Sequence, residues 1–66
     1  MTRAEQMKSA LNNGHMSWDE LLEEANNIGE AYEQDYENEL TYFEFPDNSV
    51  AVFDGQGQTI TTYDCK

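Results

Sequence analysis

An α+β domain, two N-terminal helices packed on a three-stranded antiparallel β-meander in the order ααβββ, is what this 66-residue sequence predicts. Three observations carry that prediction. Apolar residues recur at spacings of three and four through the first half of the chain, as amphipathic helices require. From Leu40 the period changes to two, the mark of a half-buried strand. Short runs of Pro, Gly, Asn and Asp then cut the second half into strand-sized pieces.

The first helix opens on Thr2-Arg3-Ala4-Glu5, a capping box in which the Thr hydroxyl and the Glu carboxylate each satisfy a backbone amide of the other. It runs to about Asn12 with Ala4, Met7, Ala10 and Leu11 on one face, and Asn13-Gly14 supplies residues that tolerate a left-handed stop. Arg3 and Lys8 lie on its other side. They are the only basic residues outside the C-terminus, and salt bridges to the acidic second helix are their expected role.

A second capping box, Ser17 with Glu20, starts the next helix, and Met16 is placed to staple onto Leu21. Trp18, Leu21, Leu22, Ala25, Ile28, Gly29, Tyr32 and Tyr36 then form a stripe of about five turns. Gly29 costs about 1 kcal/mol of helix propensity. It marks either a kink or a place where the sheet comes close to the backbone. Asp19, Glu20, Glu23, Glu24, Glu30, Glu33, Asp35 and Glu37 occupy the other faces. Asp19 and Glu20 suit the positive helix end. The acids from Glu33 to Glu39 crowd the negative end and repel one another, so their presence on a helix invites a functional hypothesis, with solubility as the other explanation for some of them.

Leu40 to Phe45 reads as a strand with Phe43 and Phe45 on one face and Leu40, Tyr42 and Glu44 on the other. Pro46 to Ser49 is a turn, Val50 to Phe53 the second strand, Asp54-Gly55-Gln56-Gly57 a connection, and Gln58 to Tyr63 the third strand. The helices cover one face of this meander. The other face, with Tyr42 and Phe53 or Tyr63, is left as a contact surface or a dimer interface.

Size and charge bound the function. A chain of 66 residues makes one domain and buries only roughly 60% of its unfolded surface. Eight aromatics and clear periodicity set it apart from a disordered acidic tail. Fourteen Asp and Glu against three Lys and Arg give a net charge of −11. Eleven of those acids fall between Asp19 and Asp47, a window with no basic residue. Such a field repels nucleic acid and anionic membranes and speeds encounter with a positive surface. No apolar run approaches the roughly 18 residues of a membrane span, and the N-terminus carries neither a signal peptide nor a lipidation motif, so a cytoplasmic protein is expected. The single cysteine, Cys65, excludes an internal disulfide and reads as an ordinary terminal thiol.

The sequence holds no convincing catalytic or metal-binding constellation, so neither an enzyme nor a cofactor is expected. His15 is the only histidine and has no partner residues for a zinc site. Gly55-Gln56-Gly57 lies between strands, where a phosphate loop needs a helix N-terminus. The same stretch lacks the oxygen ligands and flanking helices of a calcium-binding EF-hand.

The acids themselves are the candidate site. On a helix, carboxylates three or four residues apart are separated by roughly 5–6 Å along the axis. Phosphates on one duplex strand rise about 3.4 Å per base pair and are further apart through space. Glu23, Glu24, Glu30, Glu33, Asp35, Glu37 and Glu39 are therefore the expected contacts to a basic groove, with Tyr32 and Tyr36 as aromatic anchors. The acidic stretch from Asp19-Glu20-Leu21-Leu22-Glu23-Glu24 through Glu30 to Glu39 resembles, in kind, the small acidic phage proteins that inhibit host defence nucleases: DNA-mimicking anti-restriction proteins, uracil-glycosylase inhibitors and anti-CRISPR proteins. That resemblance implies stoichiometric, non-catalytic binding to the nucleic-acid-binding surface of a nuclease or CRISPR effector in the host cytoplasm, without direct binding of nucleic acid. The competing expectation is an acidic adaptor that binds through its sheet face or through Thr59-Ile60-Thr61-Thr62-Tyr63, an uncharged edge that could also pair two copies as a homodimer.

Overall fold

The computed structural model describes residues 2–63. Helices α1 (Arg3–Asn12) and α2 (Trp18–Ile28) precede four strands, β1 (Glu30–Asp35), β2 (Leu40–Glu44), β3 (Val50–Asp54) and β4 (Thr59–Tyr63). The strands form one antiparallel sheet in the order β1-β2-β3-β4, so the chain meanders from edge to edge. The α+β class and the two helices agree with expectation. The sheet has one strand more than predicted, and that strand comes out of the expected second helix.

Both helix starts are set locally. Thr2 and Glu5 complete one capping box and Ser17 and Glu20 the other. In each, the backbone amide of the cap residue and then its hydroxyl hold the glutamate below the ordinary carboxylate value. α1 stops in a Schellman arrangement, with Gly14 at φ +75, its amide on the Leu11 carbonyl and the His15 amide on the Ala10 carbonyl. His15 is thus the exposed closing residue of a helix stop. The expected bridges from α1 to α2 are replaced by other neighbours. The Arg3 guanidinium donates to Gln6 of its own helix at 3.5 Å, and Lys8 lines a surface depression with Glu5, Ser9 and Thr62.

α2 ends at Ile28, about two turns earlier than its apolar stripe predicts. The Gly29 amide makes the last helical bond, to Ala25 at 2.9 Å, and the backbone then turns extended at φ −118, ψ −172. The ring of Phe45 lies against Gly29: a Cβ there would fall 2.5 Å from Cδ1 and 2.6 Å from Cε1. Of the two roles open to this glycine, close approach of the sheet is the one observed. A run of carboxylates at the negative pole of a helix is unfavourable by about 0.3–1 kcal/mol each. Passing into a strand removes that conflict.

The core lies between the layers. Ala4 and Met7 of α1, Leu21 and Ala25 of α2, and Phe43, Phe45, Ala51, Phe53 and Ile60 from the sheet side form one buried cluster. Phe53 meets Phe43 edge-on at 5.2 Å and Trp18 at 5.9 Å, while the Trp18 indole donates to the Thr59 carbonyl. Phe53 therefore belongs to the helix-covered face, and the expectation that it could share the outer face is corrected.

One buried polar group ties the layers together. Ser49, fully buried, accepts from the Ala4 amide at 3.2 Å and donates its hydroxyl to Asp47. Asp47 also accepts from the Arg3 amide at 2.7 Å and the Ser49 amide at 3.0 Å. The Ser49 hydroxyl and then these amides lower its carboxyl from the ordinary 3.8 to about 2. The turn after β2 thus caps the start of α1 from 44 residues away.

Candidate functional site

Register decides what the second face of the sheet displays. β2 and β3 pair without interruption, Tyr42 opposite Val52 and Glu44 opposite Val50, and β3 and β4 likewise, Val50 opposite Tyr63 and Val52 opposite Thr61. Since Phe43, Phe53 and Ile60 point into the core, alternation sends Leu40, Tyr42, Glu44, Val50, Val52, Thr61 and Tyr63 to the face away from the helices. Val50 and Val52 are 3% and 6% exposed yet stand outside the helix-side cluster. Their burial is on this second face, beneath their cross-strand neighbours.

β1 joins that face through a bulge. Ala31 sits opposite Phe43 and Glu33 opposite Tyr42, so Tyr32 is the inserted residue. The shift puts Glu30, Glu33 and Asp35 opposite Glu44, Tyr42 and Leu40, all on the outer face. The Tyr32 ring lies tilted on Tyr42 with centroids 6.1 Å apart. Tyr32 is 47% exposed and Tyr63 55%. The result is an apolar and aromatic surface with carboxylates concentrated along the β1 side.

Not every acid in the Asp19–Asp47 window is available to a partner. Glu20 and Asp47 hold helix starts. Asp35 accepts the Asn38 side chain at 2.8 Å and its amide at 3.3 Å, contacts that lower its pKa and fix the turn from β1 to β2. Asp54 does the same work in the turn from β3 to β4, accepting from the Gln56 amide at 2.9 Å. Those turns end on left-handed residues, Glu39 at φ 58 and Gln58 at φ 51, and the turn from β2 to β3 has Asn48 at φ 69. The side chains of Glu23, Glu24, Glu30, Glu33, Glu37 and Glu39 are exposed and make none of these cap and turn bonds, although Glu37 and Glu39 stand in the turn between β1 and β2.

The expected site residues consequently fall in three places. Glu23 and Glu24 lie on α2 in the helix layer; Glu30, Tyr32, Glu33 and Asp35 lie on β1; Tyr36, Glu37 and Glu39 lie in the following turn, with Tyr36 80% exposed. The single helical array of carboxylates does not form, because the helix ends before Glu30. On β1, residues two apart on one face are instead separated by about 6.6 Å. Tyr42 was visible to period-two patterning as part of a second face, whereas Val50 and Val52 were not, since Phe53 was a candidate for that face and alternation would then turn them inward. Nothing local in the sequence signalled that β1 would pair with it.

Among the described residues, no group of three His, Cys, Asp or Glu side chains is placed to hold a metal ion, and no helix is long and apolar enough to cross a membrane. Cys65 lies outside the described residues. No family model matches the chain, nor does any curated protein or solved structure.

Proposed function

We propose that this protein is a non-catalytic inhibitor that occupies the basic nucleic-acid-binding surface of a host nuclease or CRISPR effector, with carboxylates standing where the nucleic acid would present phosphates. The observation that supports it most is charge. Eleven acids and no base occupy the Asp19–Asp47 window, and seven of them are exposed with side chains that make none of the cap or turn bonds described above: Asp19, Glu23, Glu24, Glu30, Glu33, Glu37 and Glu39. Unlike acids that hold a fold together, these leave their charge to the surroundings, which favours encounter with a basic groove.

The test begins with retention of a binding partner from host lysate on the immobilised chain. Excess DNA or RNA is expected to release that partner, and binding is expected to weaken steeply between about 50 and 200 mM salt. A Glu30→Lys, Glu33→Lys, Glu37→Lys variant is expected to lose retention while its far-UV circular dichroism stays unchanged. Full retention by that variant would sink the proposal.

The acidic-adaptor reading has one observation of its own. β4 is an edge strand with five uncharged residues and an uninterrupted register, whereas the other edge, β1, is bulged and acidic. Binding that ignores salt and nucleic acid but fails on Thr61→Lys would favour it.

A further inference from the structure

The helices cover one face of the sheet, and the second face is exposed at Tyr32, Tyr63, Glu30 and Glu33, with Tyr42 half-buried between them. We infer that this second face, not the outer side of α2, is the docking surface, and that it takes an arginine-rich segment of the partner. Guanidinium groups lie on Tyr42 and Tyr63 while Glu30 and Glu33 meet their charge. The inference rests on the reading above that the partner is basic, and it adds which face binds and which cation is preferred.

Charge complementarity selects the occupant. From Ser9 to Tyr63 the sequence contains no Lys or Arg, so the whole sheet is without positive charge. A second copy docked face to face brings another sheet without positive charge, so neither copy supplies a counter-charge for the Glu30 and Glu33 of the other. A nucleic acid could stack bases on the tyrosines, but its phosphates would meet the carboxylates along β1 with no cation between them. A basic polypeptide satisfies both features of the face.

The side-by-side arrangement favours arginine over lysine. Glu33 stands opposite Tyr42 across the strands, with Tyr32 on the same ring. A planar guanidinium can stack on a ring and fork onto an adjacent carboxylate at once. An ammonium is a compact, strongly hydrated charge that does one or the other less well. The buried Val50 and Val52 keep the floor of this surface apolar.

The test titrates the whole chain with nona-arginine and nona-lysine peptides at about 150 mM salt, following backbone amide shifts. Nona-arginine is expected to bind about fivefold more tightly than nona-lysine, with shifts on β1, β2 and the outer residues of β3 and β4. Tyr63→Ser, at an exposed position, is expected to weaken nona-arginine about fivefold and to change nona-lysine little. Tyr42→Ser repeats the test nearer the centre, with the amide spectrum reporting the fold. Equal affinity for the two peptides, shifts confined to α2, indifference to Tyr63→Ser, or no binding at millimolar peptide would each overturn the assignment. The two levels separate cleanly. If arginine binds this face but nucleic acid does not release the lysate partner, the nuclease reading fails and the face stands. If the peptides bind α2 while nucleic acid does release the partner, the face fails and the reading stands.

Discussion

α2 and β1 are neighbours in sequence, share a composition rich in Asp and Glu, and continue one spacing of apolar residues, yet one is a helix and the other a strand. α2 inserts Leu21 and Ala25 into the core at 1% and 0% exposure. In β1 all residues but the last are exposed. The helix is held by what it buries and the strand by what it pairs with. The difference teaches that a three-and-four spacing counts as helix evidence only while its residues have something to pack against. Tyr32 and Tyr36 fit the stripe by number but not by destination, since Tyr32 lies on Tyr42 and Tyr36 faces solvent.

The largest expected effect tests the buried side of that comparison. Leu21→Ala is expected to cost about 2–5 kcal/mol by urea denaturation. A domain of this size has roughly 3–10 kcal/mol in all, so the variant is expected to be partly unfolded at room temperature. A loss below about 1 kcal/mol would mean that α2 is not anchored as described.

Gly29→Ala attacks the boundary itself. Helix propensity favours the change by about 1 kcal/mol, but the new methyl meets the Phe45 ring at 2.5 Å. Overpacking of this kind is expected to prevail at roughly 1–3 kcal/mol, lowering the melting temperature without raising helix content. Greater stability together with a stronger 222 nm signal would show instead that propensity alone ends α2.

Acid compares the caps with the exposed strip. Asp47 has a depressed folded pKa, so its contribution is complete above the ordinary 3.8 and is lost as pH falls toward about 2. Glu5, Glu20 and Asp35 are shifted in the same direction by their own caps and turn. Stability is therefore expected to fall with pH below about 4, and Asp47→Asn is expected to flatten that limb of the profile. An unchanged acid limb in the variant would remove Asp47 from the account.

The smallest effects belong to β1 and its turn. Glu33→Gln and Tyr36→Ala are expected to change stability by no more than about 0.5 kcal/mol, since neither side chain is buried. Amide exchange on β1 is expected to be faster than on β3, whose residues are paired on both sides. Equal protection of the two strands would mean that the sheet opens as one unit.

The sequence by itself determined whatever is decided within three or four residues. Both capping boxes, the stop at Gly14, the faces of β2 and the positions of the last two turns follow from side chains bonding to nearby backbone or from alternation within one strand. It also held an unheeded warning, because acids at a helix C-terminus conflict with the helix dipole, and that conflict argued against the helix as much as for a function. Only the tertiary structure decided the rest. The end of α2 depends on Phe45 lying against Gly29, the fourth strand on pairing with β2 across a bulge, and the inward position of Phe53 on its register with β2 and β4. The duty of Asp47 depends on an amide 44 residues away. A contact of that length has no local signature, because its free energy appears only once the intervening chain has already folded around it.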